Sequence, residues 1–139
     1  MPLFLTRLMD GRPVPLYGDG RNVRDWIHVD DHCRGIQTVA ERGAAGEVYH
    51  IAGTAELTNL ELTKFLLDAV GAGWDAVEQV PDRKGHDRRY SLSDAKLRGL
   101  GYAPRVSFAD GLAGTVDWYR ANRHWWEPLR TQLDDVRTG

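Results

Sequence analysis

Apolar residues recur along this chain at two different periods, and the changes between them mark out its elements. Leu3, Phe4, Leu8 and Met9 lie at helical spacing, so residues 2–10 are read as a helix stopped at Gly11. Val14-Pro15-Leu16-Tyr17 is a short β-prone run closed by Gly18-Asp19-Gly20. Trp26-Ile27-His28-Val29 reads as a second strand. Asp30 suits an N-cap and Asp31 a first helical turn, opening a helix with Cys33, Ile36, Val39 and Ala40 on one face that runs to about Gly43.

Further on, Glu47-Val48-Tyr49-His50-Ile51-Ala52 reads as another strand. Thr58 or Asn59 caps a helix carrying Leu62, Phe65, Leu66 and Val70. Residues 77–80 form a candidate strand, and a charged loop covers 81–90. A short helix around 93–99 ends at Gly99 or Gly101. A long helix starts near Ser107, with Phe108 just inside it and Leu112, Val116 and Tyr119 on one face. Short strands alternating with helices give an α/β class. Such a pattern normally builds a parallel sheet covered on both faces, and so few strands make an incomplete one. Apolar surface on 30–43 and 47–52 is therefore expected to lack a partner, a state that strong binding of a hydrophobic dye would reveal.

Composition narrows the classes. The chain has 139 residues, enough for one small domain, and 42% hydrophobic residues, enough for a core. Its net charge of −2 argues against a general nucleic-acid binder. The single cysteine, Cys33, excludes an internal disulfide, points to a reducing, cytoplasmic setting, and is expected in the core. No apolar run is long enough to span a membrane, and the start is not read as a signal peptide.

Two segments could carry chemistry. In Gly18-Asp19-Gly20-Arg21-Asn22-Val23-Arg24-Asp25-Trp26, a glycine turn brings backbone close to Arg24, whose guanidinium could hold a phosphate in bidentate fashion. Taken alone, the residues favour a surface pair of Arg24 with Asp25 or Asp19. In Asp82-Arg83-Lys84-Gly85-His86-Asp87-Arg88-Arg89-Tyr90, four cations and a glycine suit a diphosphate, while a solvated run balanced by Asp82 and Asp87 is an equal alternative. His28 and His32 are not expected to bind metal, because a strand-to-helix break separates them and no third ligand is suitably spaced. His50 and His124 are read as structural, and Trp118, Tyr119, Trp125 and Trp126 as core or docking aromatics. The chain lacks a dinucleotide glycine fingerprint, a Tyr-x-x-x-Lys pair, a Gly-x-Ser-x-Gly elbow and a P-loop.

Together these segments resemble the dTDP-glucose 4,6-dehydratases of the extended short-chain dehydrogenase/reductase superfamily, in their C-terminal portion. The resemblance rests on Pro15-Leu16-Tyr17-Gly18-Asp19-Gly20, on Val23-Arg24-Asp25-Trp26 through His32, and on the discriminating Asp82-Arg83-x-Gly85-His86-Asp87-Arg88-Arg89-Tyr90. Gly101-Tyr102-x-Pro104 and Thr115-Val116-x-Trp118-Tyr119 add to it. Complete enzymes of this kind use NAD to oxidise the sugar at C4, eliminate water across C5–C6 and return the hydride to C6. The resemblance implies that this chain is a single nucleotide-sugar-binding region, 1–139, without the NAD-binding Rossmann half and without the catalytic residues. It would be inactive alone and would bind no NAD by itself.

It also implies substrate contacts: Pro15, Leu16 and Tyr17 near the thymine, Arg24 on the diphosphate, Asn59 at a helix start, and Asp82, Arg83, Lys84, Gly85 and His86 in a loop closing on the nucleotide. This reverses the surface-pair reading of Arg24. His50, Ala52 and Lys84 depart from the family pattern. The expected partners are a dTDP-sugar and an N-terminal half or an intact dehydratase. A non-catalytic module that docks on an intact enzyme, and a gene remnant without function, are the competing readings.

Overall fold

The computed structural model describes the backbone of residues 1–138 and the side chains of residues 1–130. The helix α1 (Pro2–Met9) begins with proline in its first turn, where the missing N–H costs nothing. The strands β1 (Val14–Tyr17) and β2 (Val23–Trp26) flank the Gly18-Asp19-Gly20 turn, and α2 (Val29–Arg42) follows. Next come β3 (Ala55–Thr58), α3 (Asn59–Val70), a single 3₁₀ turn (Trp74–Ala76) and β4 (Val77–Val80). Then α4 (Ala95–Arg98), α5 (Phe108–Ala121) and α6 (Arg123–Thr138) complete the described chain.

Two separate two-stranded pairs form. β1 runs parallel to β4, with Val14 opposite Val77 and Tyr17 opposite Val80. β2 runs antiparallel to β3, with Val23 opposite Thr58 and Trp26 opposite Ala55. On its other side β2 meets the loop after β4 through a parallel bridge between Val23 and Arg89. The α/β class and the incomplete sheet expected from the sequence are both present.

The core lies between α1, β1, α3 and α5. Leu5, Val14, Leu66, Leu67 and Val116 are at most 2% exposed, joined by Leu8, Leu62 and Leu112. Thr58 and Glu61 form a reciprocal capping box at the start of α3, and Gly71 ends it in the left-handed conformation. Ser107 caps α5 by accepting from the Asp110 N–H. Asp31, fully buried, accepts from the backbone N–H groups of Arg105 (2.8 Å) and Val106 (3.0 Å) and pairs with Arg34. One carboxylate thereby ties α2 to the segment that leads into α5.

Several local expectations change. The second strand lies at 23–26 rather than 26–29, because its partners β3 and Arg89 are there. His28, not Asp30, caps α2, its ring accepting from the Asp30 N–H at 3.3 Å. Residues 47–52 form no strand, since no other segment of the described chain offers them an edge. Cys33 is exposed rather than core. On α2 and the segment after it, Val29, Ile36 and Val48 are all more than half exposed.

Candidate functional site

The site is built where the end of β1, the strand β2 and the loop 81–90 meet. Alternation along β1 turns Val14 and Leu16 inward and leaves Tyr17 on the other face at the strand's end. Gly18 then extends the pairing by donating to the Val80 carbonyl at 3.0 Å, and Gln79 donates to the Gly18 carbonyl at 2.8 Å. Gly18 and Gly20 have φ of 55° and 68°, the left-handed region that glycine enters without a steric penalty.

The 82–86 segment folds on itself. Asp82 Oδ1 accepts from the Arg83 N–H (2.8 Å) and faces the His86 Nδ1 at 2.6 Å, which requires the ring proton on Nδ1. The His86 N–H donates to the Arg83 carbonyl at 3.3 Å, and Gly85, with φ of 69°, makes the corner as in a type II turn. The hydrogen bond from His86, reinforced by the Arg83 N–H, holds the Asp82 carboxyl below its ordinary range. The His86 ring is almost wholly covered and meets Tyr17 edge-on, with centroids 6.5 Å apart. The Arg83 guanidinium lies 5.4 Å from the Tyr17 ring centre. Lys84 projects from the corner with no ion pair among the described residues.

Arg24 reaches into the same region from β2. Its guanidinium donates to the carbonyls of Val23 (2.6 Å) and Asp87 (3.1 Å) and stacks 4.3 Å from the centre of the Tyr90 ring. It pairs with neither Asp25, which accepts from the Gly53 N–H, nor Asp19, which takes Arg88 at 3.3 Å. Tyr90 donates its hydroxyl to the Asp87 carboxylate, and that bond pushes its pKa above the ordinary value, since removing the proton would set two anions together. Arg24 and Arg83 both lie close enough to Tyr90 to oppose that shift. The two arginines therefore share one neighbourhood.

The charges of the loop divide by role. Arg88 is engaged by Asp19, and Arg89 by Glu56 at 2.5 Å. These pairs fasten the loop, and Glu56 is lowered by the Ser91 hydroxyl and Arg89. Arg24, Arg83 and Lys84 form no ion pair among the described residues, though the charge of Arg83 is felt by the adjacent Asp82 carboxylate. Asn59 sits at the end of the β2–β3 pair nearest the loop, its N–H donating to the Asn22 carbonyl at 3.0 Å, with no side-chain hydrogen bond among the described residues. Leu16 is buried against Gly20, so its side chain belongs to the core and only its backbone can face a ligand. Pro15, half-buried, lies between Val14 and Leu16.

Sequence reasoning quoted Tyr90, Asp87 and Asn22 within their segments and gave none of them a role in holding Arg24. Asn22, 3% exposed, donates to the Asp87 carbonyl at 3.2 Å. The available signal was the three-residue spacing of Asp87 and Tyr90 at the end of the charged run.

A separate cleft of about 680 Å³ lies between Met1, the β2–α2 junction at Trp26 to Val29, and the α5 residues Phe108 to Tyr119. Its lining is mostly apolar, and none of the cationic residues above borders it. Among the described residues no group of three potential metal ligands comes together. No glycine-rich turn joins a strand to a helix at this cleft. Among the described residues no helix is long and apolar enough to cross a membrane.

Comparison with known proteins places this arrangement. The model of the GDP-mannose 4,6 dehydratase family matches residues 1–115. This chain belongs to that family. Within it, the chain is 63% identical over 131 residues to a dTDP-glucose 4,6-dehydratase of Streptomyces antibioticus, a match covering 94% of the chain and 39% of the relative. The crystal structure of the dTDP-glucose 4,6-dehydratase DesIV from Streptomyces venezuelae, with NAD and TYD bound, superposes with a TM-score of 0.90 at 65% identity. That match covers 93% of this chain and 40% of DesIV. The Bacillus anthracis dTDP-glucose 4,6-dehydratase, in complex with NAD, gives 0.86 at 44% identity over 92% of the chain and 41% of that enzyme. The resemblance to dTDP-glucose 4,6-dehydratases read from the sequence is thereby established. This member of the family spans about two fifths of the length of the relatives it matches.

Proposed function

We propose that this chain is the nucleotide-sugar-holding portion of a dTDP-glucose 4,6-dehydratase, with the residues that grip the nucleotide and without those that carry out the reaction. The observation that supports this most is the convergence of Arg24 and Arg83 beside Tyr90, with Tyr17 and His86 forming an adjacent aromatic wall. A diphosphate needs cations not already neutralised by carboxylates, and Arg24, Arg83 and Lys84 meet that condition. A flat base needs a ring or backbone edge beside it, which Tyr17 with Pro15 and the Leu16 backbone can supply. Asn59 adds an uncommitted amide. Asp82, Gly85 and His86 give the loop its shape and bring Arg83 over Tyr17.

The redox and elimination steps fall to the part of the relatives that this chain does not span. A separate polypeptide carrying the NAD-binding half, or an intact dehydratase, would complete the site. The apolar cleft and the exposed Val29, Ile36 and Val48 favour a second reading compatible with the first, a module that docks through this face.

The test is an amide NMR titration of the purified chain with dTDP-glucose, with UDP-glucose as control. Selective shifts around Tyr17, Arg24 and 82–90, weakened in Arg24→Ala and Arg83→Ala, are expected. No shift with millimolar dTDP-glucose in a well-dispersed spectrum would refute the binding role. For the second reading, failure to co-purify with an intact dehydratase would remove it.

A further inference from the structure

We infer that Tyr90 and Asp87 form a clamp that sets the direction of the Arg24 guanidinium, making Tyr90 a positioning residue for the anion-binding arginine. The proposal rests on the reading of Arg24 as the diphosphate arginine.

An arginine on a short strand has long, rotatable reach, and holding it in one direction costs side-chain entropy. Here three contacts restrict it. Two carbonyls, of Val23 and Asp87, take one hydrogen bond from each terminal nitrogen. The Tyr90 ring covers one face of the guanidinium at 4.3 Å, leaving the opposite face and the remaining N–H groups for a ligand. The ring is fixed in turn, because its hydroxyl donates to the Asp87 carboxylate. The backbone closes the arrangement: Tyr90 N–H donates to the Val23 carbonyl at 3.1 Å and Val23 N–H to the Arg88 carbonyl at 2.8 Å. The Val23 carbonyl thus serves both the arginine and the clamp, and Asp87 serves both through its carbonyl and its carboxylate. Tyr90 is 54% exposed, too much for a side chain whose main task is core packing.

The clamp also links strand and loop. Arg24 belongs to β2 and Arg83 to the loop, and the 87–90 segment between them carries the residues that aim Arg24. An anion that meets Arg83 therefore finds Arg24 already oriented, which lowers the ordering cost of binding.

The experiment follows the Arg24 Nε–Hε resonance by NMR, assigned with Arg24→Lys, in the wild-type chain, Tyr90→Phe and Tyr90→Leu. In the wild type the Hε signal is expected to be ring-shifted and slow to exchange with water. Tyr90→Phe keeps the ring but removes its hydroxyl tether to the Asp87 carboxylate, and is expected to keep a reduced ring shift and to exchange faster with water than the wild type. Tyr90→Leu is expected to lose both while the amide spectrum elsewhere is unchanged, and to bind dTDP about two- to fivefold more weakly, the range of an exposed cation–π contact. An Arg24 signal unchanged in Tyr90→Leu overturns the clamp, whatever dTDP does. Tyr90→Phe behaving like Tyr90→Leu overturns the role given to the ring. A clamp signature present in the wild type and lost in Tyr90→Leu, in a chain that binds no dTDP, upholds the clamp and overturns only the assignment of Arg24 to a diphosphate.

Discussion

Replacing Gly18 by alanine would separate two costs that usually arrive together. Gly18 has φ of 55°, and a Cβ placed there would meet Asp82 Cβ at 3.0 Å and its carboxyl carbon at 3.1 Å. Gly11 has nearly the same φ, 65°, and a Cβ there would meet nothing within 4 Å. Both alanine variants incur the left-handed penalty of roughly 1–2 kcal/mol. Only Gly18→Ala must also push on Asp82 through the first atom of its side chain, which moves the loop backbone rather than a flexible tip. That displacement adds about 1 kcal/mol, the lower end of overpacking costs because the loop is exposed. Urea denaturation of both variants measures the difference. Because Asp82 organises the 82–86 turn through Arg83 and His86, Gly18→Ala should also shift the His86 and Tyr17 ring signals, and Gly11→Ala should leave them in place. Equal stability loss in the two variants, with His86 unmoved, would refute the packing of the glycine turn against the loop.

Asp31→Ala strands two backbone N–H groups and the Arg34 charge; a loss of about 3 kcal/mol is expected by denaturation, and less than 1 kcal/mol would mean that water replaces the carboxylate. Acid should loosen the loop before the core. The carboxyls of Asp82 and Glu56 are lowered from ordinary values of 3.8 and 4.5, so their contribution is complete above those values and disappears as pH falls through the lower folded ones. Amide exchange at 82–91 that rises only together with that of Leu66 would count against it. In alkali the sign is opposite. The Tyr90 phenol is raised above 10, so its contribution is present below pH 10 and lost as pH rises through the folded value; Asp87→Asn should lower that titration, read from phenolate absorbance.

What could be read from the sequence depended on how local each signal was. The helices α1, α2, α3 and α5 follow from apolar spacing within one element and from nearby caps such as Thr58 and Ser107. β2 was displaced by three residues because a four-residue strand is defined by its partner, and Ala55–Thr58 has too little alternation to announce itself. Residues 47–52 have strand composition but no neighbour, so propensity alone did not decide. The reverse holds at Cys33, whose helical face is apolar by pattern yet exposed, because nothing in the described chain covers it. The cations of the site were legible as a cluster. Which of them are already engaged was not, since Arg88 and Arg89 find Asp19 and Glu56, 69 and 33 residues away.

The parallel pairing of β1 with β4 has a consequence for how the site comes into being. Val14 pairs with Val77 and Val23 with Arg89, each across more than sixty residues. The chain between them can form its helices early, but Tyr17, Arg24 and Arg83 meet only when that long loop closes. The proposed nucleotide recognition would therefore be a late event of folding, acquired by a growing chain on the ribosome only after the 82–90 segment has emerged.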